Sequence, residues 1–424
     1  MSAPTSAIES TARSVGWRTP LVVIVCGCTV ALLAFGPRSA LGFFLTPMSQ
    51  QNGWGRDVFG LALAIQNLLW GLGQPFAGAV ADRFGTVRVM SLGALLYAAG
   101  LALMSQATTP GALDLTAGVV IGFGLSGCSF NIVISAFGKL LPPEWRALSF
   151  GAGTAAGSFG QFLFSPLAVA LNQTIGWQNT LLAFAAAMLI IVPLSLALAT
   201  SRTDTHASPL SPAAGPAGVP AQSLRQALVE ALGHRSYVLL VLGFFTCGFQ
   251  LAFITVHMPA YLIDRGLSAA VGGWTLAVIG LFNIVGSLGS GWLTSRFPKR
   301  YLLAANYFGR AIAIAVFISV PATPAGTILF GAVLGLLWLS TVPPTSSLVL
   351  LMFGTRWFAT LFGFAFFSHQ VGGFLGVLIG GIAFERTGSY DLVWWLSVLF
   401  GVLSGLINLP IVEKPVARLA AARA

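Results

Sequence analysis

The chain has 424 residues, 56% of them hydrophobic and only 8% charged, and its formal net charge is +10. Soluble domains average about 25% charged residues, so a soluble enzyme is excluded: a chain this long would lack the polar surface to cover itself. Apolar runs of about twenty residues also exclude an outer-membrane barrel, whose strands alternate over about ten.

Residues 1–19 are polar and read as a cytoplasmic tail. The apolar run beginning at Leu21 is not closed by a small-residue cleavage site, so it reads as a first span and not as a removable leader. Hydropathy predicts spans at 20–48, 57–81, 87–107, 113–137, 147–171, 178–200, 236–262, 270–294, 300–320, 325–352, 357–383 and 391–412. The long hydrophilic segment 201–235 is rich in Pro, Ala, Ser and Gly and reads as a flexible cytoplasmic linker. It separates an N-terminal six-helix half (20–200) from a C-terminal one (236–412), and 413–424 forms a second tail. The predicted fold is an all-α membrane protein with twelve transmembrane helices in two six-helix halves.

Charge sets the orientation. Of the 21 Lys and Arg, sixteen fall on one side of the predicted spans, three (Arg56, Arg265 and Arg386) on the other, and two (Arg38 and Arg310) within spans. By the positive-inside rule both termini and the linker are cytoplasmic, in a cytoplasmic (bacterial inner) membrane. This distribution explains the basic balance without any nucleic-acid partner. Cys26, Cys28, Cys128 and Cys247 lie in apolar runs and read as small buried hydrophobes, not disulfides. The Gly-x-Gly pairs lie inside apolar helices, so no nucleotide loop is read from them, and no metal site or cofactor is expected. An enzyme is not expected either, because no nucleophile–base set, acid or metal cluster sits at depth.

The residues that carry chemistry are polar ones inside the spans. Arg38 leads: a charge at mid-membrane costs about 3 kcal/mol on insertion scales, and Gly36-Pro37 before it predicts a broken helix beside a cavity. A guanidinium forks onto a carboxylate, so Arg38 is the expected anchor of an anionic substrate. Arg310 lies near mid-depth of span nine and is expected to serve helix packing. None of the eleven acids is at mid-membrane, which favours an anion over a cation as cargo. His369 in span eleven is a candidate for substrate binding and proton coupling, and His257 for an outer gate. Asn131, Gln250, Gln66 and Asn67 are costly to bury unless bonded and are candidate site residues. Trp338 and Thr341, beside Pro343-Pro344 in span ten, join them on a helix that two prolines break.

An internal repeat is visible: Ala81-Asp82-Arg83-Phe84 after span two and Thr294-Ser295-Arg296-Phe297 after span eight are 213 residues apart. Two similar halves with a midplane site describe many secondary transporters. The loop Gly78-Ala79-Val80-Ala81-Asp82-Arg83-Phe84-Gly85-Thr86-Val87-Arg88 resembles the signature loop of the major facilitator superfamily. The resemblance implies that Gly78, Asp82, Arg83, Gly85 and Arg88 form a conformational latch. The second copy departs from it at Ser295 and Pro298. Phe35-Gly36-Pro37-Arg38-Ser39, Gly124-Leu125 to Asn131, Gly138-Lys139 and Gly176-Trp177 resemble the monocarboxylate transporter group, with its oxalate–formate exchanger relatives. In span eight that group's Asp and Arg are replaced by Asn283 and Ser287. Together these features predict a monomeric transporter of a small-molecule organic anion, monocarboxylate-like, working in the lipid bilayer by alternating access, as a symporter, antiporter or facilitator. The alternative is efflux of hydrophobic drugs or metabolites with Arg38 purely structural.

Overall fold

A computed structural model describes residues 17–200, 222–354 and 357–421. Among the described residues, eleven helical stretches are long and apolar enough to cross a membrane. In chain order the helices are α1 (Pro20–Asn52), α2 (Arg56–Phe84), α3 (Thr86–Met104), α4 (Pro110–Leu140), α5 (Gly151–Thr174) and α6 (Gly176–Leu198). The second set is α7 (Arg235–Asp264), α8 (Ala269–Thr294), α9 (Lys299–Ser319), α10 (Pro324–Phe353), α11 (Thr360–Thr387) and α12 (Asp391–Asn408). The twelfth spanning helix is α2: its 29 residues exceed the roughly twenty a span needs, and its charged residues stand at its two ends. The architecture is the expected one, twelve helices in two sets of six.

Local chemistry marks the helix starts. Thr19-Pro20, Thr109-Pro110 and Thr323-Pro324 each place a threonine at the cap, its oxygen accepting from the first turn, and a proline in that turn. There the missing N–H costs nothing. Two tight connections need glycine: Gly176 (φ 80°) between α5 and α6, and Gly85 (φ 89°) between α2 and α3. A Cβ on Gly85 would also lie 2.8 Å from the Thr200 carbonyl.

Helices α1, α4 and α10 are irregular at depth. In α1 the expected break at Gly36-Pro37 is not where the helix changes. It runs through Pro37 to Ala40 and then tightens into a 3-10 turn, Leu41–Phe44. Ser39 Oγ donates to the Gly36 carbonyl at 2.7 Å and supports the turn around the proline. α4 carries a wide π turn over Asp114–Val120 and an extended residue, Ser129, between Cys128 and Phe130. α10 stops at Leu337 and restarts at Val342, so the interruption precedes the prolines, and Pro343 sits in the first turn of the restarted helix.

The halves meet where α2 packs on α11 and α5 on α8. Small residues allow the approach: a Cβ on Gly280 would lie 2.7 Å from the Ser158 carbonyl, and one on Gly381 2.8 Å from Asp57 Cα. Towards the opposite ends of the same four helices, a Cβ on Gly78, Gly151, Gly289 or Gly363 would meet nothing within 4 Å. The two halves are therefore in contact at the end that carries Arg56, and these four glycines towards the other end have open space beside them.

Candidate functional site

Arg38, one turn before the 3-10 segment of α1, faces α2. Asn67 and Trp70 stand one turn apart on α2 and so share a face. Arg38 Nη2 donates to Asn67 Oδ1 at 2.5 Å, and the guanidinium carbon lies 4.6 Å from the Trp70 ring centre and 5.8 Å from that of Phe35. Gln370 of α11 crosses between the halves, its Nε2 donating to the Asn67 carbonyl at 3.2 Å. His369 Nδ1 lies 3.0 Å from Gln370 Oε1, which only accepts, so in this arrangement Nδ1 carries the proton. Trp70 meets Phe366 edge-on at 5.8 Å, and Phe366 lies parallel to the His369 ring at 5.7 Å. Of the expected site residues, Arg38, Asn67 and His369 thus come together, joined by Trp70 and Gln370.

Two donors in this cluster, Arg38 Nε and Trp70 Nε1, are buried and have no partner. An orphaned buried donor costs about 1–3 kcal/mol. Arg38 forms no ion pair among the described residues. In a low dielectric, an uncompensated guanidinium with a free N–H attracts an anion strongly.

The remaining candidates sit elsewhere. Gln66 is buried and donates to the Ala117 carbonyl at 2.7 Å, tying α2 to α4. Asn131 is exposed on α4, just past the extended Ser129, with no hydrogen bond among the described residues. Gln250, Trp338 and Thr341 form a second cluster around Arg310, inside the C-terminal half. Gln250 Nε2 donates to the Ser397 carbonyl at 2.8 Å, and its Oε1 accepts from Arg310 Nη1 at 3.4 Å. Thr341 Oγ1 lies 3.4 Å from Cys247 Sγ.

Arg310 is fully buried, and its guanidinium donates to the Leu337 carbonyl (Nε, 2.9 Å) and to the Trp338 carbonyl. These are the acceptors freed where α10 stops, which lipid cannot satisfy. Asn306 also donates to the Leu337 carbonyl, and Asn283 Oδ1 accepts from the Leu339 amide at 3.0 Å. Arg310 therefore serves packing, as expected from its position. Arg310→Ala should destabilise the folded protein by about 3–5 kcal/mol, because it strands buried carbonyls. The check is the thermal midpoint in detergent, and an unchanged midpoint would refute the assignment.

At the closed end, Arg56 of α2 reaches across to the other half. Its Nη1 and Nη2 donate to the two Asp264 carboxylate oxygens at 2.6 and 2.7 Å, and its backbone N–H to Glu385 Oε1 at 2.6 Å. Its guanidinium carbon is 3.8 Å from the Phe384 ring centre, and Nη1 donates to the Tyr390 hydroxyl at 3.1 Å. His257 continues the network, Nδ1 at 3.3 Å from the Tyr390 hydroxyl and Nε2 at 2.8 Å from the Val377 carbonyl. Charge counting placed Arg56 on the sparsely basic side without marking its role. The available signal was that this side also holds Asp264, Glu385 and Asp391. At the opposite end the side chains of Asp82 and Arg83 lie outside the described residues, Arg88 is exposed and Gly78 stands clear of other atoms.

Comparison with known proteins fits this architecture. The profile of the Major Facilitator Superfamily matches residues 27–377. The chain is 26% identical over 394 residues, covering 90% of it and 92% of the relative, to the Bacillus subtilis (strain 168) protein named "Uncharacterized MFS-type transporter YcxA". It is 24% identical over 410 residues to monocarboxylate transporter 13 of Bos taurus, covering 93% of this chain and 89% of that one. A solved bacterial homolog to the human lysosomal transporter Spinster, in an inward-facing and unoccupied conformation, superposes with a TM-score of 0.70 at 17% identity, covering 97% of this chain and 98% of that one. At that identity the superposition speaks for the fold alone.

Proposed function

The chain belongs to the Major Facilitator Superfamily, and from that premise we propose that this membrane transporter carries a small organic anion, monocarboxylate-like, by alternating access. The observation that carries the reading is Arg38: a mid-membrane guanidinium at the junction of the halves, with a free buried N–H and, among the described residues, no acid to neutralise it. A substrate carboxylate accepts from that donor and supplies the missing charge.

The halves (20–200 and 236–412) rock about this site. By the positive-inside rule we read the end opposite Arg56 as cytoplasmic, with both termini and the linker, and the described state as inward-facing in a bacterial inner membrane. Arg56 with Asp264 and Glu385 closes the outer end. Binding in the outward state would draw α2 and α11 together through Asn67, Gln370 and His369. Gln66, Gln250, Trp338 and Thr341 hold the walls in shape, and Asn131 lines the open side. The loop from Gly78 through Asp82, Arg83 and Gly85 to Arg88 latches the cytoplasmic end in the opposite state. The transporter works as a monomer, its partners being the substrate anion and the bilayer.

Counterflow in proteoliposomes tests the reading, because it needs no driving force and so separates recognition from coupling. Labelled carboxylates should exchange, and neutral or cationic drugs should not. Drug exchange indifferent to Arg38 would overturn the anion assignment. His369 is the proposed proton carrier, because its Nδ1 proton is held within the site by Gln370. His369→Gln should abolish pH-driven accumulation while leaving counterflow within about twofold. Accumulation that persists in this variant would remove His369 from coupling.

A further inference from the structure

We infer that the substrate anion is an aryl carboxylate, with a flat, apolar body; this rests on the anion reading of the Arg38 site. The inference comes from the free donors beside Arg38 and the rings that border them. Both amide groups of Asn67 are taken: Oδ1 accepts from Arg38, and Nδ2 donates to the Leu63 carbonyl at 2.8 Å. Both of Gln370 are taken, Nε2 by the Asn67 carbonyl and Oε1 by His369. Arg38 Nε and Trp70 Nε1 remain buried and unsatisfied, as does the Tyr97 hydroxyl. A carboxylate has two acceptor oxygens for these donors.

The His369 ring lies 5.7 Å from Phe366 and 5.1 Å from Phe244. The body of the ligand meets rings. Trp70 borders the guanidinium, Phe366 abuts Trp70, and the parallel Phe366–His369 pair continues the wall. Such walls favour a flat π surface over a hydroxylated chain, whose hydroxyls would go unpaired.

Purified protein in detergent, titrated calorimetrically, tests this directly. The probes are naphthalene-2-carboxylate, naphthalene-2-carboxamide and lactate. Naphthalene-2-carboxylate should bind at least tenfold more tightly than lactate or the carboxamide. Trp70→Leu and Phe366→Leu should each narrow the naphthoate-to-lactate ratio about fivefold or more, and Arg38→Ala should remove binding of both. Lactate binding as tightly as naphthoate, or a ratio unmoved in both leucine variants, would overturn the aryl assignment and leave the anion reading intact. Equal binding of the carboxamide and the carboxylate would overturn the anion reading itself.

Discussion

Arg38→Ala should lower carboxylate counterflow by roughly 30- to 1,000-fold at fixed substrate concentration, matching the 2–4 kcal/mol lost when one partner of a buried charged contact is removed. Arg38→Lys keeps the charge but not the planar fork, and should recover only part of the activity. Arg38→Ala should not unfold the protein. Arg38 forms no ion pair among the described residues and leaves Nε without a partner, so removing it relieves a desolvated charge, and the thermal midpoint should hold or rise. Arg310→Ala should do the reverse, because Arg310 satisfies the carbonyls exposed where α10 stops. Two arginines within the spans thus have opposite signatures, one felt in transport and the other in stability. Counterflow that survives in Arg38→Ala, or a midpoint that collapses there, would sink the assignment.

The second large effect concerns the closed end. Arg56→Ala removes a bidentate ion pair between the halves and the stack on Phe384. The Asp264 side chain is 33% exposed, so solvent screening limits the loss to about 1–2 kcal/mol, which moves a two-state equilibrium by roughly 5- to 30-fold. The readout is labelling of Thr46→Cys from outside by an impermeant maleimide. Thr46 lines a cleft between the halves beside Gly42 and Pro259; the native Cys128 and Cys247 are buried, and the half-buried Cys26 and Cys28 are replaced by serine in the test protein. Labelling should accelerate by that factor in Arg56→Ala and fall back in part when Arg56→Asp is combined with Asp264→Arg. An unchanged labelling rate would show that the pair does not hold the outer end shut.

How far the sequence could be read depended on the range of the interaction involved. Fold class, span number and the repeat were legible because bilayer thickness imposes about twenty apolar residues per helix, and because loop charges are local in sequence. Arg38 and Arg310 were legible for the same reason, since a charge inside an apolar run stands out. Their difference in kind rested on the expected path of span one and the usual place of span nine. The structure gives a physical ground for it: Arg310 meets the carbonyls freed at Leu337 and Trp338, whereas Arg38 meets one amide oxygen and aromatic rings. The break in α10 was expected at the prolines and lies before them, because a proline is tolerated in a first turn and the interruption is held by Arg310, Asn306 and Asn283 from other helices.

The remaining site residues depend on which helices meet. Trp70 and Gln370 are unremarkable in their own segments. They join the site only because small residues such as Gly71, where a Cβ would lie 2.7 Å from Gln370 Cβ, let α2 and α11 approach. Gln66 and Asn67 are neighbours in sequence, yet they point to different helices, because successive residues on a helix face different ways: Gln66 reaches α4, and Asn67 reaches Arg38. The Arg56–Asp264 pair spans 208 residues. Local hydropathy carries the number of helices and the charges they hold; the close approach of the two halves selects which of those residues act together.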